Sequence, residues 1–177
     1  MLNLPTPRDW QKKAFKSWRI NQTGIAKVVT GGGKTGFAGM CINEFFSKGK
    51  SRVVIVVPTT ALRDQWYSII TSSWGFKTKD IVTSKRDAPK KNWSILLLVI
   101  NSAREVIPLL NCQKESMIIV DECHRAASLE NRKSMVGQWS ASLGLSATPE
   151  RQYDDFFETI LVPSLGEIII DYDYNQA

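Results

Sequence analysis

The chain has 177 residues, 43% hydrophobic and 23% charged, which suits one globular domain with a core of its own. Its net charge of +6 is unevenly divided: residues 1–91 carry 17 Lys and Arg against 5 Asp and Glu, and residues 92–177 carry 6 against 12. A basic half favours an anionic partner such as nucleic acid, although a solvated lysine-rich surface is the more common cause.

Several locations and classes are disfavoured by the sequence. There is no run of about 18 apolar residues, so we expect no transmembrane helix and no membrane partner. The first ten residues, MLNLPTPRDW, lack the basic start and apolar stretch of a secretory signal, so we expect a cytoplasmic, nucleoid or nuclear protein. Cys41, Cys112 and Cys123 have no metal-like spacing and are expected to be reduced thiols.

Helical and strand patterns alternate along the chain. Thr6-Pro7 reads as the start of a first helix, in which Trp10, Ala14 and Trp18 form an apolar stripe. Further helices are predicted over 35–46, 60–72 and 103–110. Strands are predicted over 25–29, 52–57, 81–82, 94–100, 117–120, 143–145 and 167–170. The strand RVVIVV does not alternate, which favours burial on both faces in a parallel sheet. The sequence therefore predicts one α/β domain over 1–177: a three-layer, doubly wound, mostly parallel sheet whose ligands lie at the carboxyl ends of strands.

The segment VVTGGGKT, residues 28–35, has the parts of a phosphate-binding loop between a strand and a helix. Glycines let backbone N–H groups converge on an anion, Lys34 would meet the β- and γ-phosphates, and Thr35 would bind Mg²⁺. The common pattern has Gly or Ala where this chain has Val28. A flexible glycine turn followed by a chance Lys-Thr is the alternative.

Polar residues also follow two later strands. Asp121 and Glu122 could hold a metal shell and orient water. The alternative is a charged strand end that enters a turn and has no chemical role. Zinc binding by Cys123 and His124 is disfavoured because no second pair of ligands is apparent. The segment Ser146–Pro149 is by itself an ordinary turn signal.

Taken in order, five segments resemble the first RecA-like domain of superfamily 2 helicases and translocases. They are PRDWQ (7–11), VVTGGGKT (28–35), VVPTTALRDQW (56–66), IIVDECH (118–124) and LGLSATPER (143–151). They look most like the XPB-type and restriction-enzyme-type DNA translocases. Two stretches depart from the family pattern: Val99-Ile100-Asn101-Ser102, where an aromatic-Gln-Ser ending is usual, and the residues after Arg151.

The resemblance implies an ATP-dependent motor that uses ATP and Mg²⁺ and acts on DNA, with RNA as the alternative. It implies catalytic roles for Lys34, Asp121 and Glu122. The implied nucleotide-binding residues are Arg8, Gln11, Thr30, Gly31, Gly32, Gly33, Lys34 and Thr35, with Gln11 reading the adenine edge. Thr35 and Asp121 would bind the metal. The implied coupling residues are His124, Ser146 and Thr148, and the nucleic-acid contacts are Pro58, Thr59, Gln65, Asn101 and Ser102. Trp66 is expected to pack in the core.

Helicases of this superfamily close ATP between two RecA-like domains, and no second set of motifs follows Gly166. We therefore expect weak ATP binding and very slow hydrolysis by the chain alone, a second RecA-like domain acting in cis or in trans, and self-association of the isolated domain. Two other readings stay open. One is a non-catalytic nucleic-acid-binding module with this fold, and the other is a different P-loop enzyme such as a kinase.

Overall fold

The computed structural model describes residues 2–89, 92–111, 113–148 and 155–173. The strands are β1 (Ile25–Val28), β2 (Arg52–Val57), β3 (Ile81–Val82), β4 (Ile95–Val99), β5 (Ser116–Asp121), β6 (Ala141–Ser146) and β7 (Ile168–Tyr172). The α-helices are α1 (Asp9–Asn21), α2 (Lys34–Ser47), α3 (Thr60–Ser68), α4 (Ile100–Val106) and α5 (Val162–Leu165). The seven strands form one sheet in the order β3-β4-β2-β5-β6-β1-β7, and each neighbouring pair is parallel.

Helices cover both faces of this sheet. Along β2, Val53, Ile55 and Val57 belong to the core under α1, α2 and α3, whereas Val54 and Val56 belong to the core under α4 and the C-terminal helical segment. All five side chains are fully buried, as expected for a central parallel strand with a helical layer on each side. The predicted three-layer, doubly wound α/β architecture is confirmed.

The first helix begins later than the sequence predicted. Trp10, Ala14 and Trp18 are buried as expected, but the helix starts at Asp9 rather than at Pro7. The reason is a cap supplied by Gln11: the Arg8 backbone is extended, and its N–H donates to Gln11 Oε1 at 2.7 Å. This capping arrangement fixes the first turn immediately beside the glycine-rich loop.

Two helical segments differ from the predictions along the second half of the chain. The helix expected over 103–110 starts at Ile100 and ends in a 3₁₀ turn, Ile107–Leu109, that contains Pro108. A C-terminal segment, the π-helical turn Phe157–Leu161 followed by α5, was not predicted. It buries Ile160, Leu161 and Leu165 against the sheet. None of the described helices is long and apolar enough to span a membrane.

The strand order brings three polar strand ends together. β6 lies between β5 and β1, with Asp121 paired to Leu145 and Lys27 paired to Ser146. Because the strands are parallel, their carboxyl ends lie at the same edge of the sheet. The residues that follow β1, β5 and β6 therefore share one site.

Candidate nucleotide-binding site

The glycine-rich loop joins β1 to α2. Gly31 and Gly33 have φ of 78° and 97°, in the left-handed region that suits glycine, and Gly33 is the N-cap of α2. Gly32 is tightly packed: a Cβ there would lie 2.5 Å from Val28 Cγ1 and 2.9 Å from the Val29 carbonyl oxygen. The loop thus carries the chain to the N-terminus of α2, where unpaired backbone N–H groups and the helix dipole favour an anion.

Lys34 connects this loop to the end of β5. Its Nζ donates a hydrogen bond to the Val28 carbonyl at 3.0 Å and lies 3.8 Å from Glu122 Oε1. The Lys34 side chain is only 11% exposed. The Lys34 ammonium group can therefore contact an anion bound at the loop while it stays close to Glu122 after β5. Thr30 is exposed and Thr35 is half-buried at the two ends of the loop.

Residues at the start of α1 hold the glycine-rich loop by side-chain hydrogen bonds. Arg8 Nη1 and Trp10 Nε1 each donate to the Gly32 carbonyl at 3.0 Å, and Gln11 Nε2 donates to the Gly33 carbonyl at 2.9 Å. Gln11 is 6% exposed, so its role in reading adenine stays a prediction beside an observed role in holding the loop. Sequence reasoning placed Trp10 only in the apolar stripe, because spacing alone does not reveal an indole N–H donor.

Asp121 and Glu122 form the acidic end of β5. The Asp121 carboxylate is 5% exposed; its Oδ1 accepts from Glu122 N at 2.9 Å and its Oδ2 accepts from Trp66 Nε1 at 2.7 Å. Burial raises the pKa of Asp121, the hydrogen bond from Trp66 opposes this rise, and the charge of Glu122 adds to it. Glu122 has φ 48°, a left-handed conformation that costs a non-glycine residue on the order of 1–2 kcal/mol.

The donor set suits a divalent cation shared with a ligand. No group of three or more His, Cys, Asp or Glu residues that could hold a metal occurs within the described part of the chain. Mg²⁺ commonly takes one or two protein oxygens and completes its shell with water and substrate phosphates. The buried carboxylate of Asp121 and the hydroxyl of Thr35 are donors of that kind. A cation would also stabilise the charged form of Asp121, which burial disfavours.

His124 joins the end of β5 to the end of β6. Its Nδ1 lies 2.8 Å from Ser146 Oγ and 3.5 Å from Glu122 Oε2. Ser146 Oγ also accepts from the backbone N–H of Thr148 at 3.1 Å. The structure therefore joins the three expected coupling residues, His124, Ser146 and Thr148, by hydrogen bonds and places Glu122 in contact with the His124 ring.

Part of the expected nucleic-acid surface lies directly beside Glu122 and His124. Thr59 is the exposed N-cap of α3, and its Oγ1 accepts from Leu62 N at 3.2 Å. Together with residues after β5 it lines an open groove of about 430 Å³. The groove is lined by Pro58, Thr59, Ala61, Leu62, Gln65, Glu122, His124 and Arg125. The exposed Arg125 was not predicted from the sequence. Asn101 and Ser102 lie outside the groove, in the first turn of α4.

A second groove borders the glycine-rich loop on its other side. It has a volume of about 650 Å³ and lies between the first turns of α1 and the end of β7. It is lined by Arg8, Asp9, Trp10, Lys13, Ile170, Asp171 and Tyr172. Trp10 and Tyr172 stack with ring centroids 5.5 Å apart. The sequence did not indicate that β7 would contribute to this region, because no motif covers that strand.

Comparisons with known proteins identify the family of the chain. The family described as "Type III restriction enzyme, res subunit" matches residues 4–151. The chain is 35% identical over 147 residues to the DNA 3'-5' translocase XPB2 of Sulfurisphaera tokodaii, an alignment that covers 81% of this chain and 31% of that protein. The chain thus spans less than a third of the length of this relative.

Solved structures share the fold. The UvsW helicase from bacteriophage T4 superposes with a TM-score of 0.75 at 18% identity, covering 95% of this chain and 63% of that one. The Hef helicase domain of Pyrococcus furiosus gives a TM-score of 0.75 at 20% identity, covering 94% of this chain and 38% of that one. The chain belongs to the Type III restriction enzyme res-subunit family and has the fold of the first RecA-like domain of superfamily 2 helicases and translocases.

Proposed function

We propose that this chain is the ATP-binding motor domain of a DNA-dependent helicase or translocase. The observation that carries the proposal is the position of Lys34, held between the glycine-rich loop and Glu122 with 3.8 Å between Nζ and Oε1. This places a buried cation where a phosphate would meet both the loop and the acidic pair. The XPB2 relative is named as a DNA translocase, and a DNA substrate for this chain is supported by that name and by the basic first half.

The residues that follow β1, β5 and β6 would each perform one part of ATP hydrolysis. The N–H groups of Gly31, Gly33 and the start of α2 would bind the phosphates, whereas the Gly32 N–H donates to the Val29 carbonyl at 3.0 Å. Lys34 would neutralise the β- and γ-phosphates. Thr35 and Asp121 would hold Mg²⁺, which when bound stabilises charge on the phosphate oxygens. Glu122 would orient and deprotonate the attacking water, and its contact with His124 supports a link from this step to Ser146.

The base would lie in the groove between α1 and β7. That groove begins at Arg8 and Trp10, whose side chains both donate to the Gly32 carbonyl, so it is continuous with the phosphate site. Tyr172 offers an aromatic face there, and aromatic faces stack on nucleobases. Arg8 would contact the nucleotide, and Gln11 would contact the adenine edge.

A second RecA-like domain, in cis or in trans, would complete the active site. The groove beside Glu122 and His124 is open, and among the described residues the ion-pair partners of Glu122 are Lys34 and His124 and include no arginine, although Arg125 lines the same groove. An arginine supplied by a facing domain typically accelerates phosphoryl transfer by several orders of magnitude. We therefore expect the isolated chain to bind ATP·Mg weakly and to turn it over very slowly.

The experiment compares Lys34→Ala with Lys50→Ala. Both variants lose one lysine charge, but Lys50 is exposed in the turn after α2. Mg²⁺-dependent binding of a fluorescent ATP analogue should weaken about ten- to a hundredfold in Lys34→Ala, the loss expected for one charge-assisted contact, and stay unchanged in Lys50→Ala. Adding a second RecA-like domain and duplex DNA should then give ATP turnover that Lys34→Ala abolishes.

The same measurements separate the alternatives. If neither the unmodified chain nor the pair of domains binds or hydrolyses ATP while DNA still binds, the chain is a non-catalytic nucleic-acid-binding module. Stimulation by single-stranded RNA rather than by DNA would overturn the DNA assignment. Transfer of phosphate to an added acceptor in place of water would favour a kinase-like enzyme.

A further inference from the structure

Trp66 makes a contact with the acidic pair that core packing does not require. It lies on α3 and is 1% exposed, as the sequence predicted for a core residue. Its indole Nε1, however, donates a hydrogen bond of 2.7 Å to Asp121 Oδ2 at the end of β5. The acceptor is the carboxylate that we assign to the metal shell.

Other buried tryptophans of the chain satisfy the indole N–H differently. Trp18 donates to the Ser142 carbonyl at 2.9 Å, and Trp93 donates to the Ala88 carbonyl at 2.9 Å. A backbone carbonyl is thus sufficient to satisfy a buried indole in this fold. A hydrogen bond to a carboxylate is shorter and stronger than one to a neutral oxygen, so the Trp66 contact constrains its acceptor more firmly.

The contact fixes the orientation of the Asp121 side chain. One carboxylate oxygen accepts from the Glu122 backbone and the other from Trp66, so rotation of the carboxylate would break at least one of these bonds. Each oxygen keeps further lone pairs for a metal-bound water. The Asp121 carboxylate is therefore held in one orientation before any ligand arrives, which is the condition for precise metal binding.

The same residue links this carboxylate to the groove beside α3. Trp66 directly follows Gln65, which lines that groove together with Thr59 at the N-terminus of the helix. Trp74 packs edge-on against the Trp66 ring, with centroids 6.1 Å apart, and this contact restricts rotation of the indole. A displacement of α3 would shift the N–H that holds Asp121.

We propose that Trp66 is a positioning residue through which α3 controls the magnesium site. Its indole N–H orients Asp121 for Mg²⁺, and nucleic acid bound at Thr59 and Gln65 alters that orientation by moving α3. The inference rests on the proposed ATP·Mg site and adds the route by which DNA would reach it. It predicts that removing the indole N–H of Trp66 changes the Mg²⁺ dependence of nucleotide binding without changing the phosphate loop.

The test compares Trp66→Phe with Trp18→Phe. Both variants keep an aromatic ring in the core and lose one buried indole hydrogen bond, but the Trp18 bond ends on a β6 carbonyl remote from the acidic pair. In Trp66→Phe the Mg²⁺ concentration that half-saturates nucleotide binding should rise about tenfold, the effect of losing one hydrogen bond to a charged group. Nucleotide affinity without Mg²⁺ should be unchanged. Trp18→Phe should match the unmodified chain in both measurements.

A spectroscopic readout on the unmodified chain makes the test independent of how the variants fold. The six tryptophans give six indole N–H signals in a ¹⁵N correlation spectrum, and sequential assignment identifies that of Trp66. This signal should lie downfield, as expected for a short bond to a carboxylate, and should move when Mg·nucleotide or duplex DNA is added. The Trp18 signal should stay in place in both titrations.

The outcomes separate this inference from the proposed function. Equal Mg²⁺ dependence in the two variants, or a Trp66 signal that does not respond to Mg·nucleotide, overturns the positioning role while the ATP site stands. A Trp66 signal that responds to Mg·nucleotide but not to DNA overturns the link through α3. If neither the unmodified chain nor its pair with a second RecA-like domain shows Mg²⁺-dependent nucleotide binding, the proposed function itself is overturned.

Discussion

Ser146 at the end of β6 and His124 after β5 are joined side chain to side chain, with 2.8 Å between Oγ and Nδ1. The Ser146 hydroxyl also accepts from the N–H of Thr148, and the His124 ring is 3.5 Å from Glu122. These two hydrogen bonds and the contact with Glu122 connect the residue assigned to water activation with the segment that follows β6. A change at Glu122 can therefore alter the segment after β6, and a change in that segment can alter Glu122. Coupling between hydrolysis and movement on DNA requires such a connection.

Ser146→Ala should separate ATP binding from DNA stimulation. The substitution removes the hydrogen bond to His124 and the acceptor of the Thr148 N–H but leaves the phosphate loop intact, so nucleotide affinity should change by less than about twofold. DNA-stimulated turnover, measured with a second RecA-like domain present, should fall about tenfold. Ser142→Ala is the matched control on the same strand, since it loses a buried bond to the Leu165 carbonyl far from His124. Equal effects of the two variants would contradict a coupling role for Ser146.

Gly32→Ala should damage the phosphate loop by crowding. An added Cβ would approach Val28 Cγ1 to 2.5 Å and the Val29 carbonyl oxygen to 2.9 Å, so the loop must shift. That shift also moves the Gly32 carbonyl away from its donors Arg8 and Trp10. We expect at least about a tenfold loss of ATP-analogue affinity, measured by fluorescence titration, since contacts to a charged ligand are lost.

Gly49→Ala provides the control for this substitution. Gly49 has φ 77° in an exposed turn and no atom within 4 Å of an added Cβ. The variant should lose about 1 kcal/mol of unfolding free energy because alanine is strained in that conformation, but it should bind the ATP analogue normally. Normal binding by Gly32→Ala would show that the loop adapts and that its packing does not matter for phosphate recognition.

Much of the fold could be predicted because its signals are local. The strand RVVIVV has no polar alternation, and the structure confirms it as the interior strand β2 with both faces buried. The short β3 was predicted at its observed residues, since Ile81 and Val82 stand alone in a polar segment. The C-terminal helix was missed because Pro163 and acidic residues obscure its periodicity. Its helical state depends on burying Ile160 and Leu165 against the sheet.

The site could be predicted in outline but not in its supporting contacts. Lys34 was identified from the glycine-rich loop that precedes it, and Asp121 and Glu122 were identified because two adjacent carboxylates at a buried strand end are costly without a cation. The contributions of Trp10 and Trp66 were not, because a tryptophan at helical spacing indicates core packing equally well whether or not its N–H reaches the site. Only the tertiary structure places one indole on the Gly32 carbonyl and the other on Asp121.

The buried thiols should resist modification in the folded protein. Burial raises the pKa of Cys41, with a smaller contribution from Glu44, and burial raises the pKa of Cys123, with contributions from Asp121 and Glu122. Both thiols should therefore stay protonated and inaccessible at pH 8 and react with a disulfide reagent only at the rate of unfolding. The measurement uses Cys112→Ser, because Cys112 lies outside the described residues. Rapid reaction of two thiols in native buffer, as fast as in urea, would contradict this.

Asp121 should make the stability of the metal-free protein fall as the pH rises. Its pKa in the folded state is raised above the ordinary value of 3.8, chiefly by burial. From about pH 4 up to the raised pKa, the folded state therefore holds a proton that the unfolded chain has released. The free energy of unfolding decreases across that window, and the penalty then stays constant at higher pH.

The comparison that isolates this effect is the unmodified chain against Asp121→Asn in buffer without divalent cations. Urea unfolding at a series of pH values should show the unmodified chain losing stability relative to the variant as the pH rises above about 4, because the amide cannot ionise. Asp9→Asn is the opposite control: Asp9 is exposed and its hydrogen bond to Lys12 lowers its pKa, so the unmodified chain should gain slightly over that variant only as the pH rises to about 4, and the difference should stay constant above that pH. Parallel stability curves for the unmodified chain and Asp121→Asn would mean that Asp121 titrates normally. The carboxylate would then carry no burial penalty for a cation to relieve, and the argument for Mg²⁺ would rest on the geometry of Thr35 and Asp121 alone.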